Sequence, residues 1–150
     1  MRIVYHNRNR DEAAEADLNA SYLPLDELLG TADFVSLNMP LDDSTRGMIG
    51  EREISLMRPD AFLVNAARGA VVDTDALTRA LSERRIAGAA LDVTEPEPLP
   101  RNHPLLALDN VVVLPHLGTS TVQTRKRMGE MTLDNLLAGL AGKPLPNRVV

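Results

Sequence analysis

The sequence predicts a doubly wound α/β domain built on a parallel sheet. Short runs of strand formers alternate with helical segments along the whole chain. Most of those runs are continuously apolar and not alternating, the pattern of strands covered on both faces. The unusual polar residues fall directly after the strand runs, where such sheets bind ligands.

Each element has a local reason. Ile3, Val4 and Tyr5 make residues 2–6 a short strand. Residues 11–18 are alanine-rich with acids in the first turn, which suits the positive end of a helix dipole. A brief strand follows at 21–23, and Pro24 opens a short helix closed by Gly30. Residues 33–38 form a strand, ended by Pro40, and a polar loop leads to a helix at 51–57 that stops before Pro59. Gly47 and Gly50 fall in a turn within that connection. The strand at 61–65 runs into AlaAlaArgGly, and Asp73 caps a helix through about Arg85 with Ala76, Leu77, Ala80 and Leu81 on one face. Residues 86–93 make an alanine-rich strand packed closely at Gly88, and a proline-rich loop precedes a last strand at 110–114. A long helix over 120–140 closes the chain, with Val122, Met128, Met131, Leu136, Leu137 and Leu140 near one side. No repeat, low-complexity tract or linker interrupts this series.

Composition narrows the function classes. The 150 residues hold 16 Lys+Arg and 21 Asp+Glu, a net charge of −5 that argues against nucleic acid, as do only two Tyr and two Phe for stacking. The absence of cysteine excludes disulfides, thiolate nucleophiles and sulfur-based zinc sites. No apolar run approaches the roughly 18 residues of a membrane span, and the first residues lack a signal-peptide layout, so a cytoplasmic protein with no membrane partner is expected. Arg2, Arg8 and Arg10 occur in residues 1–10 with no acid, which favours a small anion as ligand.

Three strand-end loops supply Arg68, Glu97 and His116. Singly, each fits a surface turn or a capping residue. Together they suit a substrate with a carboxylate beside a carbonyl. A guanidinium fork holds the carboxylate and polarises the carbonyl, and an imidazole with an unperturbed pKa near ~6.5 protonates the developing alkoxide. A glutamate on its other nitrogen favours the charged acid and fixes the ring. His6 and His103 have no convergent partner in this pattern and read as ordinary hydrogen-bonded histidines.

Whole motifs sharpen the reading. AsnAlaAlaArgGlyAlaValValAsp (65–73), LeuAspValThrGluProGluProLeu (91–99), HisProLeuLeu (103–106) and AsnValValValLeuProHisLeuGly (110–118) occur in that order. With TyrHisAsnArg (5–8) and ProLeuAspAspSerThrArgGlyMetIle (40–49), they closely resemble the D-isomer-specific 2-hydroxyacid dehydrogenases. Residues 91–106 and the ending at 135–146 are most similar to glyoxylate/hydroxypyruvate reductases within that family.

The resemblance implies a Rossmann-type fold and hydride transfer from NAD(P)H to a small 2-oxoacid such as glyoxylate or hydroxypyruvate, giving the D-2-hydroxyacid. Arg68 matches the substrate-binding arginine, Glu97 the glutamate paired with histidine, and His116 the general acid. Glu95 is the neighbouring decoy, because the family's glutamate precedes the second proline of the segment. Asp92 matches an aspartate near the nicotinamide amide; Met39, Pro40, Thr45, Ala66 and Gly118, with Arg68 and His116, line the cofactor. Thr119 and Ser120 are larger than the residues relatives often carry there, which narrows the nicotinamide pocket.

The end of the first strand bears on cofactor choice. An acid there would bond the ribose 2′-hydroxyl of NAD, whereas this chain reads HisAsnArgAsnArg with no acid before Asp11. Asn7, Arg8 and Arg10 suit a 2′-phosphate, so NADP(H) is favoured over NAD(H).

The family's Gly-x-Gly-x-x-Gly fingerprint is absent, since no three of the nine glycines have that spacing. Residues 1–150 are therefore expected to be a partial NAD(P)-binding domain, a fragment without the first strand, its glycine-rich turn or the substrate domain. Open strand edges are expected where that strand would pair. The full-length enzyme is expected to be a homodimer, its small-molecule partner a 2-oxoacid or 2-hydroxyacid. The alternatives are a dinucleotide-sensing, corepressor-like binding protein and an inactive truncated fragment; within the enzyme reading, phosphoglycerate and D-lactate dehydrogenases stay open.

Overall fold

The computed structural model describes residues 1–149. It divides into two compact units, Met1–Pro115 and a second beginning at His116. No glycine- or proline-rich linker marks that division, which is why the sequence reading places no boundary there.

The first unit runs β1 (Ile3–Tyr5), α1 (Glu12–Leu18), β2 (Ala20–Tyr22), α2 (Leu25–Thr31), β3 (Phe34–Leu37), α3 (Glu51–Leu56), β4 (Phe62–Asn65), α4 (Thr74–Ser82), β5 (Gly88–Leu91) and β6 (Val111–Val113). Two 3₁₀ turns, Gly69–Val71 and Pro104–Ala107, complete it. They are too short to leave a periodic signal in the sequence. The caps are those the composition suggests: Asp11 accepts from the Ala14 N–H, and Asp73 accepts from the Ala76 N–H.

Two helix ends differ from expectation. α2 continues through Gly30, because the Ala32 N–H still reaches the Leu28 carbonyl and the Thr31 hydroxyl bonds back to Glu27. α4 stops at Ser82, three residues early, since Arg84 adopts a left-handed φ of 55° that no helix propagates.

All strand pairs are parallel. β1 pairs with β2, and β3-β4-β5-β6 form a four-stranded sheet. A groove of about 840 Å³ lies between β1 and β3, lined by residues of both strands and by Asn7, Met39 and Pro40 beyond them. The chain winds outward from this groove twice, through β2 on one side and β4 to β6 on the other. That is the doubly wound order, with open edges on β1 and β3 among the described residues.

Register decides which residues make the core. Val35, Leu63 and Ala89 align across the sheet, as do Leu37, Asn65 and Leu91. Apart from Asn65, these side chains share one buried cluster with Leu29 of α2, Ile54 of α3 and Leu77 and Leu81 of α4. Gly88 permits the closest approach at the sheet's other end, where a Cβ would stand 2.6 Å from the Asn110 carbonyl oxygen. The expectation of cover on both faces is met on one. On the other, Phe34 and Phe62 stack with centroids 5.5 Å apart and remain exposed, as does Val112. The strands therefore bury alternate residues despite their continuously apolar sequence.

In the second unit, Thr121 caps α5 (Val122–Leu140) by accepting from the Thr124 N–H. Asn135 ties the following tail to this helix, exchanging hydrogen bonds with Asn147 at 3.0 and 3.1 Å. The apolar residues that suggested a packed face are present, but α5 buries none of its residues. Among the described residues, no helix is long and apolar enough to cross a membrane.

Candidate active site

The loop after β4 is built around one buried amide. Asn65 is 1% exposed; its side-chain oxygen accepts from the Ala67 N–H at 3.0 Å, and its nitrogen donates to the Arg68 carbonyl at 3.0 Å. These bonds turn the chain sharply out of the sheet and leave Arg68 exposed at its carboxyl end. The Arg68 guanidinium donates to the Ala67 carbonyl at 2.7 Å, with its remaining donors available to a ligand. The sequence marks Asn65 only as a strand end; its burial, with its bond to the Arg68 carbonyl, makes it part of the site's framework. Asn65→Leu keeps the volume but orphans a buried N–H and a carbonyl, so denaturant unfolding should show a loss of about 1–3 kcal/mol. Unchanged stability would contradict this bracing role.

The loop after β3 faces it. Met39 and Pro40, with Asn38 and Leu41, line a cleft of about 690 Å³ together with Ala66, Ala67 and Arg68. Four residues expected to line a cofactor (Met39, Pro40, Ala66 and Arg68) thus border one cleft. Thr45 does not line it. Its buried hydroxyl donates to the Pro40 carbonyl at 2.8 Å and accepts from the Asp42 N–H at 2.8 Å, which shapes the loop from inside. The Ser44 hydroxyl and N–H both bond Asp42 and hold its carboxyl below the usual carboxylate range.

The loop after β1 adjoins the same end of the sheet. Asn7 accepts from the Arg8 N–H at 2.9 Å, and the Arg8 guanidinium reaches Asp42 at 3.4 Å. His6 Nδ1 lies 3.0 Å from the Leu23 carbonyl.

The proline-rich loop is locked to the Arg68 loop. Its Thr94 hydroxyl donates to the Pro96 carbonyl at 2.9 Å, and Thr74 on α4 donates to the Glu95 carbonyl at 2.7 Å. Glu97 is exposed and accepts a long 3.4 Å bond from the Thr94 N–H. Asp92 begins the loop, and its N–H donates to the Asn65 carbonyl at 2.9 Å. The sharpest packing is at Gly69, where an added Cβ would lie 1.9 Å from the Thr94 carbonyl oxygen, a backbone atom that cannot swing aside. Gly69→Ala should therefore push the two loops apart and cost about 1–3 kcal/mol in a thermal or denaturant melt. An alanine variant as stable as the parent would show the loops are loosely joined.

His103 accepts from the Leu105 N–H through Nδ1 and caps a 3₁₀ turn, which accounts for it structurally. The second unit opens with His116 at φ 56°, a left-handed conformation rare for a residue with a side chain, followed by Leu117 and Gly118. The Leu117 carbonyl accepts from the Ser120 N–H at 2.9 Å, in a turn before α5. His116 and Gly118 belong to that unit, whereas Asn7, Arg8, Met39, Pro40, Thr45, Ala66, Arg68, Asp92 and Glu97 belong to the first.

The β1–β3 groove and the Arg68 cleft share Asn38, Met39 and Pro40, so a continuous trough runs from Asn7 to Arg68 across the switch point of the sheet. The Arg68 cation at one end, its backbone-rich walls and its place suit a long anionic ligand such as a dinucleotide. Among the described residues no cluster of His, Asp and Glu is arranged to hold a metal.

Comparison with known proteins agrees with this geometry. Residues 1–118 match the family model described as D-isomer specific 2-hydroxyacid dehydrogenase, NAD binding domain. The chain is 52% identical over 149 residues to a glyoxylate reductase of Aeropyrum pernix, covering 99% of this chain and 44% of that protein. It is 48% identical over 149 residues to glyoxylate/hydroxypyruvate reductase B of Enterobacter agglomerans, covering 99% of this chain and 46% of the relative. A crystal structure from Thermus thermophilus superposes with a TM-score of 0.92 at 47% identity, covering 100% of this chain and 46% of that one. The chain thus spans less than half the length of the relatives it matches.

Proposed function

The chain belongs to the D-isomer specific 2-hydroxyacid dehydrogenases, in their NAD-binding domain, and we propose that it is the dinucleotide-handling part of an enzyme that reduces glyoxylate or hydroxypyruvate. The observation that carries this is Arg68, held by buried Asn65 at the edge of a cleft it shares with Met39, Pro40 and Ala66. The alternatives are a dinucleotide-sensing binding protein and an inactive fragment, which the assay below separates from the enzyme.

When bound, the nicotinamide supplies the hydride. The chain's own residues bind and orient. Met39, Pro40 and Ala66, which line the Arg68 cleft, would hold the nicotinamide, and Asp92 matches the motif's partner of its amide. Arg68 holds the substrate carboxylate with two parallel donors and polarises the adjoining carbonyl oxygen. By its place in the motif, His116 would be the general acid that protonates the oxygen as charge develops there, and Glu97 the carboxylate the motif pairs with it. Gly118 matches a cofactor-lining position of the same motif.

Cofactor preference follows from the other end of the trough. Asn7 and Arg8, with no acid between β1 and Asp11, favour NADPH over NADH, because a carboxylate at the strand end would repel a 2′-phosphate. The test is an assay of the purified full-length protein with glyoxylate and hydroxypyruvate, each against NADPH and NADH. Oxidation should be faster with NADPH, and no oxidation with any of the four pairs would overturn the reading.

A further inference from the structure

The loop after β1 carries two arginines in unlike circumstances. Arg10 is gripped: its Nε donates to Glu15 Oε1 at 2.7 Å and its Nη2 to Glu15 Oε2 at 2.8 Å, a bidentate fork. Glu15 sits in α1 with its side chain 14% exposed, and it also accepts from the Tyr5 hydroxyl at 2.7 Å. That hydroxyl in turn accepts from the Asp11 N–H at 2.8 Å. Strand end, loop end and helix are thereby joined through one carboxylate. Arg8 is loose by contrast. Its guanidinium is 74% exposed and touches Asp42 through a single 3.4 Å approach.

These two pairs differ in kind. A bidentate, partly shielded pair keeps its geometry, whereas a long exposed one contributes little and exchanges readily. Asp42 is also occupied otherwise, its other oxygen accepting from Ser44 and from the Thr45 N–H. The Arg8 contact is therefore the one more easily exchanged for another anion.

We propose that Glu15 is a positioning residue for cofactor specificity, holding Arg10 and Tyr5 so that the loop offers Arg8, and not Arg10, to the 2′-phosphate of the dinucleotide. This rests on the NADPH preference above and deepens it. Arg10, which the sequence alone groups with Arg8, becomes a structural strut. The Arg10 fork, and then the Tyr5 hydroxyl, lower the Glu15 carboxyl to about 2, so the clamp stays ionised through the physiological range.

The experiment measures binding of 2′,5′-ADP and 5′-AMP by calorimetry on the full-length protein, which separates phosphate recognition from turnover. Wild type should prefer 2′,5′-ADP by about ten-fold or more, and Arg8→Ala should remove most of that ratio. Glu15→Gln keeps an acceptor for Tyr5 but breaks the ion pair, and should lower the ratio about five-fold with 5′-AMP affinity nearly constant. Arg10→Lys keeps the charge but not the bidentate fork, and should lower the ratio no further than Glu15→Gln does. A wild-type ratio in Glu15→Gln, or an equal fall for both ligands, overturns the proposal. So does an Arg10→Lys loss as large as that of Arg8→Ala, which would make Arg10 the phosphate contact. A wild type without preference instead overturns the underlying NADPH reading, a distinguishable result.

Discussion

Replacing His116 by alanine in the full-length enzyme is expected to lower turnover by about two to four decades, the contribution of a positioned general acid. Reduction of a 2-oxoacid places negative charge on the carbonyl oxygen, and without a donor that charge must be met by water. Among the three histidines, His103 spends Nδ1 on the Leu105 N–H and His6 places Nδ1 against the Leu23 carbonyl. His116 lies instead directly after the last strand run, in a left-handed turn at φ 56°. His116 also matches a cofactor-lining position, so dinucleotide affinity is measured alongside turnover. Steady-state kinetics with glyoxylate and a parallel cofactor titration separate the two effects. Undiminished turnover would remove His116 from the chemistry.

Arg68→Ala is expected to cost about two decades in kcat/KM, the loss of hydrogen bonds made by a charged group to a charged ligand. Lysine should rescue it only in part. An ammonium keeps the charge but has no planar fork, so it cannot hold a carboxylate and a carbonyl oxygen together. The Asn65 brace fixes where the fork starts, so the geometry is set before substrate arrives and little ordering remains to be done on binding. Substrate KM should rise in both variants, with folding unchanged because the side chain is exposed. A lysine variant with wild-type kinetics would mean that charge, and not shape, is what the site uses.

Much of this architecture is legible before any coordinates. Apolar runs at the strands and polar residues after them announce a parallel sheet with its site at the carboxyl ends, and the family motifs single out Arg68, Glu97 and His116. Other features depend on what a residue meets in space. Asn65 and Thr45 look like ordinary polar residues in the sequence, yet both are buried and spend their hydrogen bonds inside the loops that shape the cleft. Arg8 and Arg10 are indistinguishable by composition, and only the position of Glu15 one turn into α1 tells them apart. Gly69 reads as part of a motif, while its reason is a backbone oxygen from a loop some twenty-five residues onward. Phe34, Phe62 and Val112 show the opposite failure: apolar strands suggest cover on both faces, but cover depends on which elements arrive there.

The most direct test of the account is amide chemical-shift mapping of the full-length protein during titration with NADPH. The account predicts saturable shifts concentrated at Asn7 and Arg8, at Asn38, Met39 and Leu41, and at Ala66 to Arg68, the length of the trough. Saturable binding that leaves these amides unmoved, or no binding by the folded protein, would contradict it.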